Sequence, residues 1–162
     1  MSRSELISAK ILSREQLVKK LGLWRFKERK IIFTNGCFDI LHRGHVHLLS
    51  KAADLGEILV VGLNSDSSVR NLKGIHRPLQ DEKTRAEVLA SLFYVNAVVL
   101  FDEETPLELI KMISPDVLVK GGDYKIETII GADWVMQNGG KVEIIPLLEG
   151  YSTSGSVNRL IG

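Results

Sequence analysis

Short β-branched runs alternate along this chain with amphipathic stretches, and that alternation leaves few folds open. Ile31-Ile32-Phe33-Thr34, residues 58–63, residues 97–101, Val117-Leu118-Val119 and Val142-Glu143-Ile144-Ile145 read as five strands. Ser13-Arg14-Glu15-Gln16 has the form of a capping box and opens a helix with Leu17, Leu21 and Trp24 on one face. Further helices are expected from near Gly44, from Asp81 through Leu92, from Thr105 and Pro106 as N-cap and first position, and near 126–137 and 153–161. Strands joined by helices of this length require right-handed crossovers, so the expected class is α/β: a five-stranded parallel sheet with helices on both faces. In such sheets ligands bind beyond the carboxyl ends of the strands, which points to the segments after Thr34, Leu63, Val119 and Pro146.

At 162 residues, with 44% hydrophobic and 25% charged side chains, the chain suits one globular domain, and no linker or repeat divides it. The formal charge of +1 argues against nucleic acid as a partner. A basic run over Lys19, Lys20, Arg25, Lys27, Arg29 and Lys30 is interrupted by Glu28 and apolar residues, and reads as a solvated helix face. No apolar run approaches the roughly 18 residues of a membrane span. Glu5 and Lys10 break the apolar character that a signal peptide would need. The single cysteine, Cys37, fits a reducing compartment, and the expected location is cytoplasmic.

The turn after the first strand carries the chemistry. It runs Thr34-Asn35-Gly36-Cys37-Phe38-Asp39-Ile40-Leu41-His42-Arg43-Gly44-His45 and contains neither G-x-G-x-x-G nor a P-loop. It holds H-x-G-H at the mouth of a helix instead. Gly44 would let a phosphate approach the first helical turn, and His42 and His45, three apart, can aim two ring donors at it. Two other readings stay open at this point. One is a metal site from Cys37, His42, His45 and His47, whose spacing matches no common zinc pattern; the other is a histidine pair with a structural role alone. Cys37 reads as a small packing residue, and Trp24 and Trp134 as core or interface residues.

Asn35-Gly36-Cys37-Phe38-Asp39 followed by His42-Arg43-Gly44-His45 resembles the cytidylyltransferase-like nucleotidyltransferases. Val61-Gly62-Leu63-Asn64-Ser65-Asp66, Leu72-Lys73-Gly74 with Arg77-Pro78, Lys120-Gly121-Gly122-Asp123-Tyr124 and Glu149-Gly150-Tyr151-Ser152-Thr153 are similar to the adenylyltransferase half of the bifunctional heptose kinase/adenylyltransferases. The resemblance runs from about Lys30 to Leu160. It implies a single Rossmann-like domain of the HxGH type over 30–162, preceded by a helical extension over 1–29.

The reaction implied is transfer of AMP from ATP to D-glycero-β-D-manno-heptose 1-phosphate, giving ADP-heptose and pyrophosphate, with Mg²⁺ bridging phosphates. His42, His45 and Lys120 would be catalytic. Asn35, Gly36, Cys37, Phe38, Gly44, Gly121, Gly122, Asp123, Tyr124, Ser152 and Thr153 would meet the nucleotide. Asp39, Asn64, Asp66, Lys73, Arg77 and Arg85 would bind the sugar phosphate, with residues 71–80 as a lid. Asp39 could instead orient the turn, and Arg85 could be a surface ion-pair partner. Only about 30 residues precede the matched segment, so a separate heptose kinase would supply the substrate, and related transferases suggest a homodimer.

Leu147-Leu148 stand where cytidylyltransferases carry an arginine and a threonine, which favours adenine. The rival readings are a cytidylyltransferase acting on glycerol 3-phosphate or a related polyol phosphate, a nucleotide-binding regulatory module, and a metal-dependent hydrolase.

Overall fold

The computed structural model describes residues 1–151. Six strands form one parallel sheet: β1 (Ile11–Leu12), β2 (Ile31–Gly36), β3 (Ile58–Asn64), β4 (Ala97–Phe101), β5 (Val117–Gly121) and β6 (Lys141–Ile145). Their order is β1-β4-β3-β2-β5-β6. Among the described residues seven α-helices accompany them: α1 (Arg3–Ser8), α2 (Arg14–Phe26), α3 (Arg43–Ala53), α4 (Asp66–Lys73), α5 (Glu82–Ser91), α6 (Leu107–Ile113) and α7 (Ala132–Gln137).

The sheet therefore has one strand more than the five expected. Ile11 pairs with Val98 and Leu12 with Val99, so the segment between the first two helices closes the β4 edge. Two residues are too few to show a period of two, which is why the pattern alone does not reveal them. The first 29 residues thus contribute a strand as well as two helices.

Caps place the helices. Ser13 takes the Gln16 N–H, while the Gln16 side chain accepts the Ser13 N–H at 2.8 Å, completing the expected box at the start of α2. Asp81 accepts from Thr84 at the start of α5. Pro106, at φ −78° and ψ 8°, is the N-cap of α6 and not its first residue, so Thr105 stands one place outside the helix and its Oγ1 reaches the Leu107 N–H only at 3.5 Å. The helix expected over 126–137 is split into a 3₁₀ turn (Ile126–Thr128) and α7, with Gly131 at φ 83° between them. A Cβ on Gly131 would lie 2.7 Å from Ile110 Cδ1, so the chain turns where only glycine fits. The helix expected over 153–161 lies outside the described residues.

Strand alternation builds two cores. Ile31, Phe33, Val60, Val99 and Leu118 meet Leu17, Leu21, Ile110, Ile113 and Val135 from α2, α6 and α7, with Trp24 and Trp134 half-buried against them. Ile32, Leu59, Val61, Val98 and Val119 meet Leu49, Ala52, Leu89 and Ala90 from α3 and α5. Each fully buried leucine or isoleucine contributes roughly 1.5–3 kcal/mol. All seven residues of β3 are buried, as expected of a central parallel strand. The chain builds outward from β2 through β3 to β4, then returns to the other side of β2 with β5. This reversal is the topological switch point, and it opens a crevice at the carboxyl ends of β2 and β5. Among the described residues no helix is long and apolar enough to cross a membrane.

Candidate active site

The crevice holds a cavity of about 220 Å³ whose lining includes Asn35, Gly36, Cys37, Phe38, His45, Lys73, Lys120, Gly121, Tyr124 and Leu147. A hollow of about 530 Å³ beside Phe93 is larger, but Arg3, Lys10 and Lys20 rim an apolar floor there, with no histidine among its lining. Chemistry and not size singles out the crevice.

His42 is the N-cap of α3, at φ −137°, and its Nδ1 accepts the Gly44 N–H at 3.1 Å. That bond assigns the proton of the neutral ring to Nε2. The Gly44 N–H, expected to be open to phosphate, is therefore taken by the histidine. A Cβ on Gly44 would sit 2.9 Å from His42 Cε1 and 3.3 Å from Tyr151 Cβ, so glycine keeps the ring and the tyrosine close. Arg43 lies over the Tyr151 ring, 5.4 Å from its centroid, and donates from Nη1 to the Tyr151 hydroxyl at 3.2 Å.

His45 is stacked on His42 with centroids 3.8 Å apart and packs T-shaped against Phe38 with centroids 5.2 Å apart. Burial, helped by the charges of His42 and Lys73, pushes its pKa down to about 4, against a weaker opposite pull from the Ile40 carbonyl. No described group makes a well-formed hydrogen bond to its buried Nδ1. His45 is therefore a neutral ring at pH 7. Burial lowers the pKa of His42 as well.

Lys120, near the end of β5, donates to the Asn35 carboxamide oxygen at the end of β2. Burial brings the ammonium pKa down to about 8, which leaves it mostly charged at pH 7. Gly121 packs close to Leu48, whose methyls a Cβ there would meet at only 3.1 Å, and Gly122 adopts φ 127° beneath Tyr124. Asp123 is exposed and does not line the cavity, whereas Tyr124 does. Ser152 and Thr153 lie outside the described residues.

The six residues assigned to sugar phosphate divide. Lys73 and Asp39 line the cavity. Asp39 is buried, and its carboxylate accepts from Arg77 Nε at 2.7 Å and from the Leu79 and Gln80 N–H groups; these contacts hold its pKa below the usual carboxylate value, against the opposing effect of burial. Arg85 is fully buried and not at the surface. It donates to the carbonyls of Gln80, Cys37 and Asn64 and to Asp66. Asn64 is buried and donates to Ser68 Oγ. Residues 77–80 are thus tied to Asp39 in this structure.

Leu48 was not anticipated as a lining residue, although it lies three positions after His45 on the same helix and the helical period points to it. Nothing in the residue pattern pointed to the contact of Arg43 with Tyr151.

No group of three His, Cys, Asp or Glu side chains among the described residues is placed to hold a metal. Asp39, the carboxylate that lines the cavity, is already engaged by three donors. The described protein groups do not by themselves build a Mg²⁺ site, which would need free carboxylate oxygens.

A parallel sheet reversing at β2, with H-x-G-H opening the next helix and two lysines in the crevice, defines the nucleotidyltransferase class of α/β domain. The chain belongs to the cytidylyltransferase-like family, whose model matches residues 33–150. It is 55% identical over 151 residues to the bifunctional protein HldE of Caulobacter vibrioides, covering 93% of this chain and 31% of that protein. It is 54% identical over 153 residues to the HldE of Wolinella succinogenes, covering 94% and 31%. The chain thus spans about a third of the length of these curated relatives.

Among solved structures, it resembles a lipopolysaccharide core biosynthesis protein from Thermoplasma volcanium (29% identity, TM-score 0.60, covering 76% of this chain and 99% of that one). A pantoate–β-alanine ligase from Francisella tularensis, at 16% identity and TM-score 0.68 over 92% and 72% of the two chains, shares the fold.

Proposed function

We propose that this chain transfers AMP from ATP to D-glycero-β-D-manno-heptose 1-phosphate, forming ADP-heptose and releasing pyrophosphate. The observation that carries the reading is one cavity lined by His45, Lys73 and Lys120, with His42 stacked on His45 at the mouth of α3. The acceptor follows from the heptose-type motifs and from the identity to the HldE proteins.

The sugar phosphate oxygen attacks the α-phosphorus of ATP, a new P–O bond forms, and the bond to the β-phosphate oxygen breaks as pyrophosphate departs. A phosphate monoester is already anionic near pH 7, so the chain needs no general base. Its task is to orient two anions and to place donors where charge accumulates. The neutral His42 and His45 rings supply N–H donors to the triphosphate, and Lys120 supplies charge. Lys73 draws the acceptor phosphate in, and Tyr124 with Leu147 gives the base an apolar flank suited to adenine.

Residues 30–162 hold this machinery in our reading, and residues 1–29 complete the sheet. A heptose kinase would supply the substrate. The apolar hollow with exposed Leu6 and Phe93 supports a homodimer.

Pyrophosphate release tests the assignment with heptose 1-phosphate and either ATP or CTP, for the wild type and His45→Ala. Release that needs ATP and the sugar phosphate, and that is lost in the variant, is expected. Preference for CTP with a polyol phosphate would replace this reading with the cytidylyl alternative.

A further inference from the structure

Phe38 is the one residue between two points that the rest of the fold grips. On one side the Cys37 carbonyl accepts from Arg85 Nη1 at 2.7 Å. On the other, the Asp39 carboxylate accepts from the Gln80 N–H at 3.0 Å and from the Leu79 N–H at 2.9 Å. The ring of contacts closes on itself, because the Gln80 carbonyl accepts from Arg85 Nε at 3.0 Å. Arg85 is in turn anchored to the end of β3 through the Asn64 carbonyl and Asp66, both at 2.8 Å.

Inside that ring Phe38 is held at φ 42°, a left-handed conformation that a bulky side chain rarely adopts. Its ring consequently folds back over Gly36, where a Cβ would lie 3.0 Å from Phe38 Cε2. It packs against the His45 imidazole in a T-shaped arrangement with centroids 5.2 Å apart, and His45 stacks on His42.

We propose that Arg85 and Asp39 are positioning residues, which act through the left-handed Phe38 to set the orientation of the His45 ring. Arg85 is fully buried, its guanidinium is engaged by four protein acceptors, and it is not among the described residues that line the cavity, which suits a positioning role better than direct contact with substrate. The choice of arginine follows from the geometry. A planar guanidinium with five N–H donors reaches four acceptors at once, whereas a lysine ammonium is a single point and cannot bridge them. The consequence for turnover rests on the reading of His45 given above, but the placement of its ring does not.

The test is histidine-labelled NMR of the full chain without ligand, for wild type, Arg85→Lys and Asp39→Asn, with thermal unfolding of each as the check on folding. Loosening the ring should move the His45 resonances toward those of a free imidazole and raise its titration midpoint from about 4 toward 6.5. The resonances of His47, which does not line the crevice, should stay unmoved. His42 and Lys73, the titratable neighbours that act on His45, are unaltered in both variants. Folded variants with unchanged His45 signals would overturn the proposal. If Arg85→Lys does not fold, Asp39→Asn decides, and failure of both to fold would also overturn it, by making the ring a condition of folding.

Under the proposed reaction the same variants should lower kcat by about tenfold, with KM for ATP changed less than about threefold. A wild type without turnover would defeat the heptose reading while leaving the NMR result to stand.

Discussion

His42 and His45 face each other with ring centroids 3.8 Å apart and 24° between their planes. Two imidazolium ions could not share that spacing at low cost, and burial keeps both rings toward the neutral form. The pair therefore offers N–H dipoles to an anion without having to shed protons. Replacing His45 by alanine should reduce kcat/KM for pyrophosphate release by about 10²–10³-fold, the range seen when one preorganised donor to a transition state is removed. Steady-state kinetics with a matched unfolding curve would check it. An effect below about threefold would take His45 out of the chemistry.

The same burial makes a prediction about acid. His45 has a folded pKa of about 4 against an ordinary value of 6.5. Between these values the unfolded chain takes up a proton that the fold refuses, so stability falls as pH drops from about 6.5 to 4 and then levels off for this group. Asp39 acts lower: its depressed pKa gives stability that is lost only as pH falls below 3.8. Urea unfolding from pH 7 to 4 should show a decline of at most about 3 kcal/mol from His45. The slope should flatten in His45→Gln.

Lys120 predicts proton uptake at the other end of the scale. Its buried ammonium has a pKa of about 8 where the ordinary value is 10.5. A triphosphate beside it favours the charged form, so ATP bound at pH 9 should bring close to one proton with it, and ATP bound at pH 6.5 almost none from this group. Calorimetry in two buffers of different ionisation enthalpy measures that number. Lys120→Met should abolish the uptake.

Gly44 separates stability from binding. It lies within α3 at an ordinary helical φ, where alanine is worth about 1 kcal/mol more than glycine. Yet the added Cβ would stand 2.9 Å from the His42 ring and push it aside. Gly44→Ala should therefore unfold within a few degrees of the wild type, while ATP affinity falls by about tenfold. Thermal unfolding and ATP titration on one preparation would distinguish these two effects.

How far all this could be read from residues alone varied with the range of the interaction. The Ser13 and Asp81 caps and the H-x-G-H turn are local patterns, and the structure has them where the pattern put them. Ile11–Leu12 was missed because two residues carry no period, and the pairing partner lies some 87 positions away. Arg85 was read as a ligand or surface group, since nothing on its own helix announces that Cys37 and Asn64 turn their carbonyls toward it. Phe38 gave no sign of a left-handed conformation, which in a sequence is ordinarily marked by glycine or asparagine. The partnership of Lys120 with Asn35 follows only once β5 is known to lie beside β2.

The two-residue strand β1 has a consequence for how folded molecules behave toward one another. The β4 segment Ala97-Val98-Val99-Leu100-Phe101 carries no charge and no proline, the composition of a strand that recruits strands from other molecules. Among the described residues, only Ile11 and Leu12 pair along its outer edge, opposite Val98 and Val99. Damage to this short seal would therefore register first as clumping of otherwise native protein, well before the crevice at the other side of β2 lost its shape.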